Sequence, residues 1–243
     1  MNKRLVGEYE EFVYKGERTP FSPGTLAVVI FCTTLLIIAT FTKIDISHLW
    51  FEFTDEGILT VTKKYSLIPQ VPIVLMSAAL LGARFGLVVV FLYLLCGFFV
   101  WPVFGFGGGV EYVKSYFFGY ILGFFAATVF SGRVLSKRFG FRGMLYASIV
   151  GVLAIHISGI IYSFVLSLFK SSPYNPDFSY IFTQIIYDIV FSFFVIFLAK
   201  PLKYILWIAM KKDGKKQKRE RKRYIREENS DLNKENNQEI QLN

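Results

Sequence analysis

FSYIFTQIIYDIVFSFFVIFL, Phe178–Leu198, is an almost unbroken apolar run with a single carboxylate, Asp188, near its middle. A helix needs about 20 predominantly apolar residues to cross ~30 Å of hydrocarbon, and this run meets that length. Five others do so as well: Thr25–Phe41, Leu67–Ala83, Phe85–Phe104, Tyr116–Leu135 and Met144–Phe169. None alternates with the two-residue period of a barrel strand, and in lipid every backbone polar group must find its partner within the protein. The expected fold is therefore all-α, an integral membrane bundle of six transmembrane helices.

Composition agrees. Hydrophobic residues make up 53% of the 243 and aromatics 18%, while only 19% are charged, against about a quarter in soluble domains. The net charge of +9 does not indicate a nucleic-acid partner, because 13 of the 27 basic residues fall between Lys200 and Asn243. Cys32 and Cys96 both lie inside apolar runs, so neither a disulfide framework nor a zinc site is readable, and no metal or cofactor is expected.

Basic residues set the orientation. Arg84 follows the second run; Arg133, Lys137, Arg138 and Arg142 follow the fourth; the tail follows the sixth. These segments belong inside, which places both termini in the cytoplasm. On the other side, Lys43, Lys63 and Lys64 are offset by Asp45, Glu52, Asp55 and Glu56, and the remaining loops hold only Lys114 and Lys170. No cleavage pattern follows the first run, so it is expected to remain as an anchor. The domains read as a cytoplasmic segment 1–23, a six-helix substrate-binding domain 24–210 and a basic tail 211–243. The tail suits contact with anionic membrane lipid, though a solvated tail is the simpler account of its charge. Asn229–Asn243 has the composition of a disordered segment.

Asp188 is the only acidic residue in any of the six runs. A charge at that depth costs roughly 2.5–3.5 kcal/mol, so intramembrane carboxylates face a cavity or a partner. Gln184 and Ser192 stand four residues to either side, forming a polar stripe on one helical face. A plain hydrogen bond between helices is the structural alternative. His156, midway along the fifth run, has no ligands at metal spacing and reads as a buried imidazole bonded to a neighbouring helix. Between the third and fourth runs, Trp101-Pro102-Val103-Phe104 and Gly105, Gly107, Gly108 and Gly109 combine flat apolar faces with a permissive backbone. Such a loop can lid a pocket, or simply be an outer loop with interfacial aromatics. Gly119 and Gly123 have the spacing that brings helices close, and Tyr120 between them needs a partner for its hydroxyl.

Gly82-Ala83-Arg84-Phe85-Gly86, Leu92–Gly97, Trp101–Phe104 with Gly107–Gly109, and Gly119–Phe124, in that order, resemble the core signature of the BioY family, over roughly Val71–Lys200. That family comprises biotin-binding S components of energy-coupling factor (ECF) transporters. The resemblance implies a six-helix vitamin-capture subunit of a prokaryotic plasma (inner) membrane. It would hold biotin near the outer face and work with an ECF transmembrane coupling subunit and two ATPase subunits. Asp188 matches the family's Asp in the last helix, and Phe191 stands where the family has Lys. Ser115-Tyr116-Phe117 replaces a Gly-Pro-Thr, and Val74 and Met76 replace a Thr and a Gln.

The expected substrate-binding residues are Asp188, Gln184, Tyr120, Trp101, Tyr116, Gly108 and Lys114. Asp188 would accept the ureido N–H donors, Trp101, Tyr116 and Tyr120 would wall the ring system, and Lys114 would meet the ligand carboxylate. A different vitamin or a biotin-like solute is the nearest alternative. An enzyme is disfavoured: a six-span intramembrane serine protease needs Gly-x-Ser-Gly, and Val129 and His156 precede the two Ser-Gly pairs at the glycine position. The only Gly-Lys pair, Gly214-Lys215, is followed by Lys216, so the chain has no Walker A loop of its own.

Overall fold

The computed structural model describes residues 21–54, 57–105, 107–170, 178–206 and 208. The segment 1–20 and the tail beyond 208 lie outside the described residues. Helix α1, Pro23–Phe41, begins at Ser22, whose Oγ accepts the Thr25 N–H at 3.1 Å, with Pro23 at a helix start that has no need of its N–H. A hairpin follows, β1 Ile44–Thr54 and β2 Gly57–Leu67, paired antiparallel from Ile44↔Leu67 to Thr54↔Gly57. Then come α2, Gln70–Leu95, prolonged by a π turn over Cys96–Val100; a short 3-10 turn, Val110–Lys114; and α3, Phe118–Lys137, α4, Phe141–Phe169, and α5, Phe178–Leu206.

Five of these helices, counting Gln70–Val100 as one, are long and apolar enough to cross a membrane. The second and third apolar runs thus share one helical stretch, but it is not straight. Gly82 has φ 74° and ψ 175°, a conformation that side chains resist. In a straight helix Gln70 and Tyr93 would stand about 34 Å apart. Here Nε2 of Gln70 donates to Oη of Tyr93 at 3.0 Å. The chain therefore doubles back at Gly82, and a Cβ placed on Gly86 would come 3.3 Å from the Ala78 Cα on the opposite arm.

The all-α expectation needs a correction: the fold is mostly helical, with a β-hairpin between α1 and α2. Its strands are rich in Ile, Val, Thr and aromatics, which suit extended backbone, and the polar residues among them gave the segment the look of an outer loop. Leu67, where the second apolar run begins, closes β2, and α2 starts only at Gln70. The third run also ends early. Trp101 precedes Pro102 and is extended, at φ −150° and ψ 148°, so helical structure stops at Val100.

Packing follows the small residues. Helix α3 lies between α2 and α4, while α1 packs on α2. A Cβ on Gly123 would sit 2.7 Å from the Ile155 Cα, and one on Gly119 would sit 3.1 Å from the Gly159 Cα, so α3 and α4 approach backbone to backbone. The two arms around Gly82 are held to α1 by polar side chains: Thr40 Oγ1 accepts from Gln70 Nε2 at 2.6 Å and lies 3.2 Å from the Tyr93 hydroxyl.

Because no atom lies within 4 Å of a Cβ built on Gly82, a substitution there is penalised by backbone strain alone. Gly82→Ala should destabilise the detergent-solubilised chain by about 1–3 kcal/mol, read as a lowered melting temperature. Gly105→Ala, at a glycine with equal room and no positive φ, should melt with the native protein.

Candidate ligand site at the His156–Asp188 pair

Asp188 is fully buried midway along α5, and His156, also buried, faces it from the middle of α4. Nε2 of His156 and Oδ2 of Asp188 lie 3.3 Å apart. Their outer atoms are unsatisfied: among the described residues Asp188 Oδ1, His156 Nδ1 and the buried Ser192 Oγ have no hydrogen-bond partner. Ser192 is one helical turn from Asp188 on the same face. Leaving even one polar group unpaired in an apolar medium costs several kcal/mol. Three such atoms on the facing helices α4 and α5 are hydrogen-bonding capacity that a polar guest could satisfy.

Aromatic rings lie near both members of the pair. The Tyr120 ring meets His156 edge-on, centroids 5.7 Å apart at 85°, and it covers Gly159, where a Cβ would fall 2.6 Å from three ring carbons. Beside Asp188, Tyr187 stacks on Tyr65 of β2 at 5.2 Å and 13°, and Tyr180 also lies 5.2 Å from Tyr65. Burial first, then the charge of Asp188, holds the Tyr65 hydroxyl above the ordinary phenol range, so it stays a neutral O–H donor. The hairpin thus reaches into the electrostatic neighbourhood of the carboxylate.

The turn that sets Tyr116 and Tyr120 is tied down by the end of α4. The Tyr162 hydroxyl donates to the Val113 carbonyl, Ser163 Oγ donates to the Tyr116 carbonyl at 2.8 Å, and Lys170 Nζ donates to the Lys114 carbonyl at 2.5 Å. The Lys170 ammonium also stands 4.7 Å over the Tyr116 ring.

Of the residues expected from sequence, Asp188 and Tyr120 meet through His156, with half-buried Gln184 one turn before Asp188. Half-buried Tyr116 lies one turn before Tyr120, under Lys170. Lys114 is solvent-exposed and paired with Glu111 at 2.6 Å. Trp101 is 69% exposed. Gly108 is wedged in the loop, where a Cβ would fall 2.4 Å from the Pro102 Cα, and the next N–H, of Gly109, donates to the Gly97 carbonyl at 2.8 Å. Tyr65, Tyr180, Tyr187 and Lys170 were not anticipated. Each owes its place to contacts between segments distant in sequence, and only the position of Tyr187 beside Asp188 offered a signal. His156 does bond to a neighbouring helix, as its solitary position suggested, and that bond is to Asp188.

Among the described residues no three His, Cys, Asp or Glu side chains gather as a metal site would require. The known proteins that resemble this chain point to one family. The sequence is 31% identical over 98 residues to a protein of Lysinibacillus sphaericus named "Probable biotin transporter BioY", a match covering 40% of this chain and 50% of the relative. The chain thus spans about half the length of that relative. The structure matches the crystal structure of an S component for biotin from an ECF-type ABC transporter with a TM-score of 0.54, over 76% of this chain and 95% of the other, at 18% identity. At that identity the likeness speaks for the fold. The family model described as "BioY family" aligns with residues 16–207, which takes in every described helix. With its run of apolar helices, this multi-pass membrane protein belongs to the BioY family.

Proposed function

We propose that the chain is the substrate-capture subunit of an ECF-type transporter, binding biotin from the outside and delivering it with energy supplied by partner ATPases. The observation that carries this reading is the set of unsatisfied polar atoms of the buried His156–Asp188 pair and Ser192, on facing helices with Tyr120 against the imidazole. Biotin offers complementary chemistry: a ureido ring with two N–H donors and a carbonyl, a fused apolar sulfur ring, and a valerate tail ending in a carboxylate. The ureido end meets Asp188, Tyr120 and the Tyr65–Tyr187 stack flank the rings, and the tail runs toward Tyr116, with Lys114 and Lys170 nearby to attract its charge. Trp101 and Gly108 belong to the loop over the outer mouth, and Gln184 lines the face that Asp188 continues.

Gln70–Leu81 and Ala83–Val100 act as separate crossings, giving six helices with both ends in the cytoplasm. The reversal at Gly82 and the exposed Arg84 beside it support this. The binding domain is then 24–210, flanked by the cytoplasmic segments 1–23 and 211–243, in a prokaryotic plasma membrane. The partners are membrane lipid, an ECF transmembrane subunit and two ATPases. The protein performs no catalysis of its own.

Equilibrium binding of labelled biotin to the purified protein tests the central claim. Saturable binding is expected, weakened about ten- to hundredfold in Asp188→Asn by loss of a charge-assisted hydrogen bond. No saturable binding by the native chain would remove biotin, and displacement by another vitamin would name the ligand instead. Gentle solubilisation from the native membrane should co-purify ATPase subunits, and their consistent absence would overturn the partnership. Topology has its own test: with Cys32 and Cys96 replaced by Ala, Arg84→Cys should react with an impermeant maleimide only from the cytoplasmic face. Labelling from outside would refute the six-crossing arrangement.

A further inference from the structure

The end of the bundle remote from the hairpin gathers cations from segments far apart in sequence. Arg133, Lys137, Arg138 and Arg142 flank the turn between α3 and α4, and Lys200 and Lys203 lie near the end of α5. The Lys203 ammonium stands 4.6 Å from the centroid of the Phe139 ring, in the middle of that turn, so the end of α5 lies beside it. The Gly82 reversal reaches the same level. A Cβ on Gly132 would fall 2.6 Å from the Ala83 nitrogen, so Arg84 and Arg133, the next residues along, belong to this end too. No carboxylate answers the charge among the described residues. Asp45 and Glu52 belong to the hairpin and Glu111 to the turn before α3, all at the opposite end, while Asp188 is midway along α5. None of these cations has an ion-pair partner among the described residues. Like charges gathered in this way repel, and an anion from outside the fold relieves the repulsion.

Within one turn of these charges the surface is apolar and exposed, with Phe130 on α3, Phe141 and Tyr146 on α4, and Phe197 and Leu198 on α5. A phospholipid has the same order, an anionic phosphate followed by acyl chains. We propose that this end of the bundle binds the head group of an anionic phospholipid. The phosphate is drawn to the cations of the α3–α4 turn and the end of α5, and the chains lie along the exposed rings. Lipid attachment is thereby assigned to the folded bundle and not to the basic tail 211–243. The site is separate from the His156–Asp188 pair and stands whatever solute that pair serves.

The test titrates the full chain, delipidated in neutral detergent, with phosphatidylglycerol or with phosphatidylcholine of the same acyl chains, and counts bound lipid by native mass spectrometry. Phosphatidylglycerol should bind at least about tenfold more tightly, since each cation near a membrane surface strengthens attachment of an anionic lipid about fivefold. The triple variant Lys137→Gln, Arg138→Gln, Arg142→Gln should lose that preference. Lys215→Gln, Lys216→Gln, Lys218→Gln, in the tail, should keep it. Inorganic phosphate should not displace the bound lipid. On the native chain, phosphatidylglycerol with a photoreactive head group should cross-link to 133–142 or 200–203, which locates the site whether or not any variant folds. Equal binding of the two lipids by the native chain overturns the proposal. So does a preference kept by the turn variant, a preference lost only in the tail variant, or cross-linking confined to 211–243. Displacement by inorganic phosphate would make this a site for a soluble anion and overturn the lipid assignment.

Discussion

A carboxylate in the middle of an apolar bundle imposes itself on everything near it. Asp188 is buried, its one hydrogen-bond partner among the described residues is His156, and half of its hydrogen-bonding capacity is unused. Water would solvate such a group at no cost, but here the protein must do so. The close approach of α3 to α4 through Gly119 and Gly123 sets Tyr120 against His156, and the hairpin brings Tyr65 to the α5 side of the same carboxylate. Packing that resembles ordinary core formation thus also confines one ionisable group and its partner.

Stability and the proposed capture role make opposite demands on this pair. Replacing a buried ionic pair with well-fitted apolar side chains is often neutral or stabilising, and Leu or Phe at 156 and 188 would suit the surrounding rings. Retaining the polar atoms without a full set of partners gives up cohesion. That sacrifice is intelligible where the missing partners arrive with a ligand, as in the capture role proposed for this BioY family member.

The helices were legible because lipid demands long continuous apolar runs, and five candidate spans fall where those runs lie. The break between Ala83 and Phe85, where Arg84 interrupts the pattern, was readable to within two residues of the Gly82 reversal. The hairpin was not, since Lys43, Asp45 and Lys64 disguise as a loop a segment whose alternating Ile, Thr and Val residues form two strands. At the candidate site, Asp188 stood out as the one acidic residue of the six runs and Ser192 by its helical spacing from it, both of which a linear sequence displays directly. The match of His156 to Asp188 depends on which face of α4 turns to α5, and the position of Tyr65 depends on where the hairpin folds, neither of which is written in local periodicity.

The reversal at Gly82 also bears on how the protein is made. The arm Gln70–Leu81 is about 18 Å long at 1.5 Å per residue, well short of ~30 Å of hydrocarbon. Released alone from a ribosome into an insertion channel, it would leave polar backbone or head groups pulled into the bilayer at one end. In the six-crossing arrangement proposed above, its entry would await the following arm, through Val100, whose Tyr93 closes the bond to Gln70. In that arrangement the short arm therefore crosses only as one half of a paired unit with its successor, not as a segment by itself.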